Sequence, residues 1–290
     1  MVMDRETILL CIGTPIYAIV IGLEILMSHL HDRKWYTFKD TMSNVYLTLL
    51  NMSLDLACRF VAAMVLFFSF QHRFFTFEHS WIYWVALVFG VDFFYYWLHR
   101  ADHYCRLFWA VHVTHHSSEQ YNLTTGFRSS VFEPLYRFVF YIPLPLLGFE
   151  AIDIFFMHSA LQIYGIVVHT QSVGKLGWLE YILVTPSHHR VHHASNVRYL
   201  DKNMGMTLII WDKIFGTFAI EDPAEPVVYG LTKNPEDRGP VNIVFHEWKN
   251  ILADLRRPIT LRQKLGYLFN PPGWSHDGST KTSAQLRQQD

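Results

Sequence analysis

Residues 80–116 read SWIYWVALVFGVDFFYYWLHRADHYCRLFWAVHVTHH, and two patterns meet in them. Residues 80–98 carry one charge, Asp92, and are long enough to cross a bilayer as a helix. Five histidines follow, as HxxxH (His99, His103) and HxxHH (His112, His115, His116). Helix positions three and four apart share a face, so each motif aims its rings at one point. A second window, SHHRVHH at 187–193, repeats HxxHH as His189, His192 and His193, with His188 one place outside it. Nine of the 17 histidines fall in these two windows. Imidazole suits zinc, copper, iron and nickel, and one ion rarely takes more than about four protein ligands. Eight convergent imidazoles therefore fit two ions side by side, with positions left open for a small molecule. One such motif alone reads as ordinary surface histidines. Three at ligand spacing, on one side of a membrane, do not.

The flanking sequence predicts how the windows meet. Residues 8–27 (one charge, Glu24) and 45–70 read as two further spans. Asp4-Arg5-Glu6 is not the basic start of a signal peptide and no small-residue cleavage site follows, so the first span is expected to be retained. The apolar stretch 131–149 is broken by Pro143 and Pro145 and is followed by 151–171. Together they read as a hairpin that enters and returns on one side, with neighbouring helices satisfying the broken backbone. The loop 28–44 holds Arg33, Lys34 and Lys39 against a single Arg73 in 71–79, which puts 28–44 in the cytoplasm. Three spans then bring His99 to that face, and the hairpin returns the chain there for the second window.

The expected fold is thus an all-α, multi-pass membrane helical bundle forming one domain over 1–290. It has three spans plus the hairpin 131–171, and a cytosolic helical cap (99–130 and 172–269) carrying a histidine-rich dimetal site. A polar tail, 270–290, is expected to be loose. Thr185 with Pro186 at the first helical position starts the helix carrying the second window. Residues 241–257 are amphipathic, and either lie on the membrane surface or pack on the cap.

Several polar residues sit where they need a reason. Asp92 shares a helix stripe with His99 and His103, and is expected to orient a ligating imidazole; the alternative is an ion pair with Arg59. Asn44, Thr48, Asn51, Asp55 and Arg59 form a polar stripe on the second span that must face the bundle interior, with Asp55 and Arg59 as helix glue. His169, near the cytoplasmic end of the last apolar segment, is a candidate ninth ligand. His158 lies eleven residues earlier, too deep, and reads as packing. Asn122 is expected to support the ligands, and with Thr124 and Trp211 to receive a lipid head. His29, His31, His72, His79, His246 and His276 read as surface or interfacial residues. The net charge of −1 leaves no electrostatic footprint for nucleic acid. Cys11, Cys58 and Cys105 give neither a disulfide framework nor a thiolate zinc site.

Around the histidines stand HHSSEQYNLTT (115–125), TPSHHRVHH (185–193), DKNMG (201–205), IIWDKIFGTF (209–218) and VVYGLT (227–232). This set resembles the fatty acid hydroxylase superfamily of membrane di-iron enzymes, which includes sterol desaturases and sphingolipid hydroxylases. The likeness covers roughly 80–235 and is greatest to the alkylglycerol monooxygenase branch. It implies a transmembrane stem under a cytosolic helical layer that holds two ferrous ions, and dioxygen-dependent hydroxylation of a lipid C–H bond. In that branch the carbon adjoins an ether oxygen, and the hemiacetal collapses to an aldehyde. The branch uses a tetrahydropterin as external reductant. No motif here reads as pterin-binding, and none as cytochrome, flavin or iron–sulfur, so electrons are expected from a separate donor or a diffusible reductant. The expected partners are the membrane, a lipid substrate and dioxygen.

Three rivals are weighed. A sterol or sphingolipid desaturase or hydroxylase, or a zinc-dependent hydrolase, shares the scaffold; sequence alone does not separate the desaturase, and tightly held zinc in active protein would mark the hydrolase. A membrane metal transporter would bind ions at mid-membrane, whereas these histidines cluster at span ends and beyond. A bis-histidine haem protein would need isolated histidines facing across a bundle. The expected location is a multi-pass integral membrane protein of the endoplasmic reticulum or a bacterial inner membrane, with its site facing the cytoplasm.

Overall fold

Three long apolar helices dominate the computed structural model, which describes residues 5–289. They are α1 (Arg5–Leu30), α2 (Phe38–Gln71) and α3 (Trp81–Tyr104), each long and apolar enough to cross a membrane. At 1.5 Å per residue even α3 is about 36 Å long, more than the hydrocarbon thickness of about 30 Å. The helices therefore run past the expected span limits. Thr37 accepts the Asp40 N–H at the start of α2, and Ser80 accepts the Tyr83 N–H at the start of α3. Nothing in α3 breaks the helix between Leu98 and Tyr104, so His99 and His103 ride on the span itself, one turn apart. The outer faces of α1 and α2 leave Ile12, Ile19, Leu56 and Phe60 more than half exposed, as lipid-facing residues would be. Among the described residues no strand forms, only isolated bridges such as Leu183–Leu208.

The hairpin exists, but its first arm is not a helix. Residues 133–139 make two short 3₁₀ turns, and α5 (Pro143–Leu147) is one turn long. Pro134, Pro143 and Pro145 each remove a backbone donor from this stretch, which explains the break. The arm instead follows α2. Asn51 donates to the Ser130 carbonyl at 2.8 Å, Arg137 pairs with Asp55, and the Phe74 N–H donates to the Leu146 carbonyl at 2.7 Å. Gly148 turns the chain with φ +110°, where a Cβ would meet the Phe75 carbonyl oxygen at 2.3 Å. Helix α6 (Ala151–Val167) then returns to the starting face. Leu66, Leu87, Val91, Leu144 and Ile154 fill the core between these elements.

The polar stripe of α2 faces inward, as its spacing requires. Asp55 and Arg59 form their i, i+4 pair at 3.5 Å, and each takes a further partner, Arg137 and Glu6 respectively. Arg59 is thus not the partner of Asp92. In α1 the buried Glu24 accepts the Leu123 N–H at 2.8 Å and the hydroxyls of Tyr36 and Thr170. One carboxylate so ties the loop after α1, the loop after the first histidine window and the end of α6.

The remaining helices gather at that same end. They are α4 (Arg106–His116), α7 (Pro186–His192), α9 (Pro240–Leu255), α10 (Leu261–Phe269) and α11 (Ser283–Arg287), while α8 (Ile210–Phe215) lies back alongside α3. The amphipathic α9 packs on the protein: Ile243 and Val244 join Leu47 and Val131. Its Val241, Phe245 and Leu252 remain outward. The tail is not loose. Trp274 lies edge-on to Tyr267 at 5.3 Å, and Arg287 donates to the Leu200 carbonyl.

Candidate metal centre

Four segments build the centre. Helix α3 ends at Cys105, and α4 turns back so that His112, His115 and His116 face His99 and His103. The end of α6 delivers His169, and α7 delivers His189, His192 and His193 at its close. The ligand atoms form two groups, each within 4.8 Å: His99, His103, His112, His116 and His192 in one, His115, His169, His189 and His193 in the other. The groups abut. Ring centroids of His116 and His193 lie 4.5 Å apart, and those of His112 and His115 lie 5.3 Å apart. All nine expected histidines, His169 included, are therefore brought together.

Their orientation follows from the outer nitrogen. His99, His115, His169 and His192 turn Nδ1 to the carbonyls of Met204, Arg128, Gly165 and Lys202 at 2.8–2.9 Å. Nδ1 of His112 meets Ser130 Oγ at 3.1 Å, and that of His103 meets Asp201 at 3.3 Å. A carbonyl can only accept, so it fixes the proton on Nδ1 and leaves Nε2 as a bare lone pair. Those lone pairs converge. Nε2 to Nε2 separations are 3.0 Å for His99–His112, 2.9 Å for His169–His189 and 3.1 Å for His169–His193. Nε2 of His103 and of His192 is buried with no hydrogen-bond partner. Facing lone pairs at such distances repel unless a cation sits between them, and orphaned buried nitrogens are costly. The residues present thus fit a pair of metal ions with an all-imidazole donor set.

Electrostatics agrees with that fit. Burial first, then the charge of neighbouring imidazoles, holds His112, His116, His189, His192 and His193 well below the ordinary histidine range. Burial pushes His115 down to about 4. All six are neutral near pH 7, the form that ligates.

Other expectations need correcting. Asp92 touches no histidine. It accepts the backbone N–H groups of Thr207 (2.9 Å) and Leu208 (3.0 Å) and the indole N–H of Trp211 (3.0 Å), fixing the loop whose Met204 carbonyl holds His99. Asn122 also touches none. It donates to the Trp35 carbonyl at 2.6 Å and accepts from Thr124, so both are loop braces, and Trp211 is spent on Asp92. His158 packs on Phe138 and hydrogen-bonds Tyr141, as its depth suggests. His188 turns Nδ1 to the Thr185 and Leu183 backbone and stays outside both groups.

Residues that spacing did not reveal surround the centre. Asp102 lies 3.8 Å from His112 Nδ1 and accepts the Tyr136 hydroxyl at 2.7 Å. The Trp109 ring packs on His103 and His116. Asp201 belongs to the DKNMG stretch, but the backbone carbonyls carry no sequence signal at all. A cavity of about 440 Å³ with a mixed polar and apolar lining opens on His103, His116 and His192, walled by Arg106, Lys233 and Tyr267.

Comparison with known proteins agrees with this geometry. The fatty acid hydroxylase family profile matches residues 84–217, a stretch holding all nine histidines. The human alkylglycerol monooxygenase is 44% identical over 192 residues, 66% of this chain and 42% of that protein. The Danio rerio alkylglycerol monooxygenase is 35% identical over 268 residues, 91% of this chain and 59% of that protein. Human lathosterol oxidase is 26% identical over 167 residues, 55% of this chain and 49% of that protein. The chain spans about half the length of these curated relatives. No solved structure matches it. The matched stretch begins inside α3 and ends at Thr217, just past α8, so it takes in the metal centre but not α1, α2 or α9.

Proposed function

We propose that this chain is a membrane di-iron monooxygenase that hydroxylates a lipid C–H bond next to an ether oxygen, cleaving an alkyl ether lipid. The observation that carries the reading is the pair of adjoining imidazole groups with converging Nε2 lone pairs. Bound there, two ferrous ions would supply electrons to dioxygen, which redox-inert zinc cannot do. The first ion would be held from His99, His103, His112, His116 and His192, the second from His115, His169, His189 and His193.

The protein's own residues have three tasks. The carbonyls of Met204, Arg128, Gly165 and Lys202 orient the rings and set their tautomers. Burial of eight of the nine histidines keeps water from the reacting groups. The spans bring the centre to the membrane, where a lipid substrate resides. The likeness to alkylglycerol monooxygenases supports the ether lipid as substrate.

The cavity on His103, His116 and His192 gives a separate electron donor a route to the centre, and a tetrahydropterin is the first to test. The basic loop 28–44 lies at the end of the bundle where the histidines gather, which favours a cytoplasm-facing site in the endoplasmic reticulum or a bacterial inner membrane. A sterol substrate is the second reading, favoured by the likeness to lathosterol oxidase.

The test is lipid profiling of cells with the chain, without it, and with His115→Ala. Loss of alkyl ether lipid that needs both the chain and His115 is expected. An unchanged ether-lipid pool with altered sterols would transfer the proposal to the sterol reading. No lipid change, with tightly held zinc in the purified protein, would overturn it.

A further inference from the structure

We infer that residues 176–184 and 207–215, which follow the hairpin and read from sequence as cap, form a lobe sunk into the lipid leaflet beside α3. The partner is the headgroup and upper acyl region of the bilayer. The inference rests on the reading that α3 crosses the membrane.

Depth comes from α3. The Trp211 ring lies 5.1 Å from Phe93 and 6.5 Å from Phe89, and the Phe215 ring lies 5.0 Å from Trp97. Phe89 precedes His99 by ten residues, or about 15 Å of helix. Helix α8 therefore lies alongside the second half of the span, not beyond its end.

The backbone of the lobe is satisfied in the way that membrane depth demands. Non-helical backbone is tolerated there only where protein supplies its hydrogen bonds. The Val184 N–H donates to the Thr207 carbonyl at 2.8 Å, and the Ile209 N–H to the Ile182 carbonyl at 3.0 Å. The Ile182 and Leu183 N–H groups both donate to the Leu179 carbonyl. Asp92 takes the N–H groups of Thr207 and Leu208, and the Tyr164 hydroxyl donates to the Val184 carbonyl. An intramembrane carboxylate is costly; here it acts as the acceptor for a loop that cannot turn to water.

The surface chemistry matches a membrane interface. Trp178, Tyr181 and Ile214 are 69%, 73% and 65% exposed, and Ile182 is 48% exposed. In the same helix as Ile214, Trp211 and Phe215 pack on Phe89 and Trp97, which are themselves 43% and 37% exposed. Lys213 donates to the Tyr181 carbonyl at 2.9 Å with its ammonium over the Tyr181 ring. Tryptophan, tyrosine and lysine together are the residues that settle where lipid meets water.

The test uses the full chain in phosphatidylcholine vesicles. Trp178→Cys and Ile214→Cys, each in a Cys11→Ser, Cys58→Ser, Cys105→Ser background, carry an environment-sensitive fluorophore. Phe60→Cys on α2 is the membrane control, and Val228→Cys, in the connector after the domain, is the water control. Nitroxide lipids labelled near the top of the acyl chain should quench positions 178 and 214 severalfold more than 228, while aqueous iodide shows the reverse order. Quenching at 60 but only iodide quenching at 178 and 214 overturns the lobe and leaves the spans intact. No lipid quenching at 60 overturns both. Quenching at 178 and 214 by neither reagent means that another protein covers the patch, and also overturns the lobe. Photoactivatable lipids on the wild-type chain give the same answer without substitution: carbene adducts are expected on peptides covering 176–182, and their absence beside labelled α2 contradicts the lobe.

Discussion

Asp92, in the middle of α3, holds the indole of Trp211 at 3.0 Å across 119 residues of chain. The same carboxylate holds two N–H groups of the loop that presents Met204 to His99. A residue that touches no histidine so fixes where one histidine points. Asp92→Asn puts an amide N–H among donors. It should cost about 1–3 kcal/mol, the usual penalty for unpaired buried donors. The thermal midpoint should fall and iron should be lost from the His99 group first. Trp211→Phe, which removes one of the three donors, should cost less than Asp92→Asn.

His169 and His158 lie on or just beyond one helix and should behave oppositely. His169→Ala removes a member of the four-histidine group and should lower the metal content towards one ion per chain. His158→Ala removes a ring packed on Phe138 and should leave metal content unchanged while lowering the melting temperature. Elemental analysis of the two purified variants checks this. Equal metal content in both would remove His169 from the centre.

Stability of the metal-free chain should fall with acid. His115 is held at about 4 by burial, and its neighbours are also held low. The unfolded chain binds protons near pH 6.5 that the folded chain refuses. Stability is thus fully present above about pH 6.5 and drains away as pH falls towards 4. Thermal midpoints measured from pH 8 to pH 4 should be flat and then decline. Ligated metal, which needs neutral imidazole, should leave over the same descent. A midpoint that rises on acidification would contradict the assigned protonation.

Glu24 joins three loops from inside α1. Glu24→Ala strands the Leu123 N–H and two hydroxyls. The expected cost is about 2–4 kcal/mol, built from buried donors at roughly 1–3 kcal/mol each with partial relaxation. Because Thr170 adjoins His169, iron loss should accompany the lost stability. Glu24→Gln, which keeps an acceptor, should lie between the two.

Much of this architecture was legible because two strong periodicities carry it. Apolar runs of about 20 residues and imidazoles at helical spacing leave little freedom, and the single-sided hairpin follows from them. Pro143 and Pro145 marked the break in the hairpin's first arm, but nothing in the sequence marked the α2 side chains that the broken chain follows. Asp92 misled because helix geometry placed it on the histidine stripe, while its actual partners come from a loop 115 to 119 residues on. Asn122 misled for the same reason: nearness in sequence to His115 and His116 says nothing of which way a loop amide turns. The carbonyls that orient the rings were illegible, since every residue has one. Asp102 was hidden between two ligands, its role set by the turn at Cys105 that folds α4 back.

Two metal ions held by imidazole alone are the centre of this chemistry, and counting metals in the purified chain while reading their first coordination shell by X-ray absorption tests them most directly. The predicted result is two irons per chain, each surrounded by nitrogen scatterers with the multiple-scattering signature of imidazole. One metal per chain, or a shell dominated by carboxylate oxygen, would contradict it.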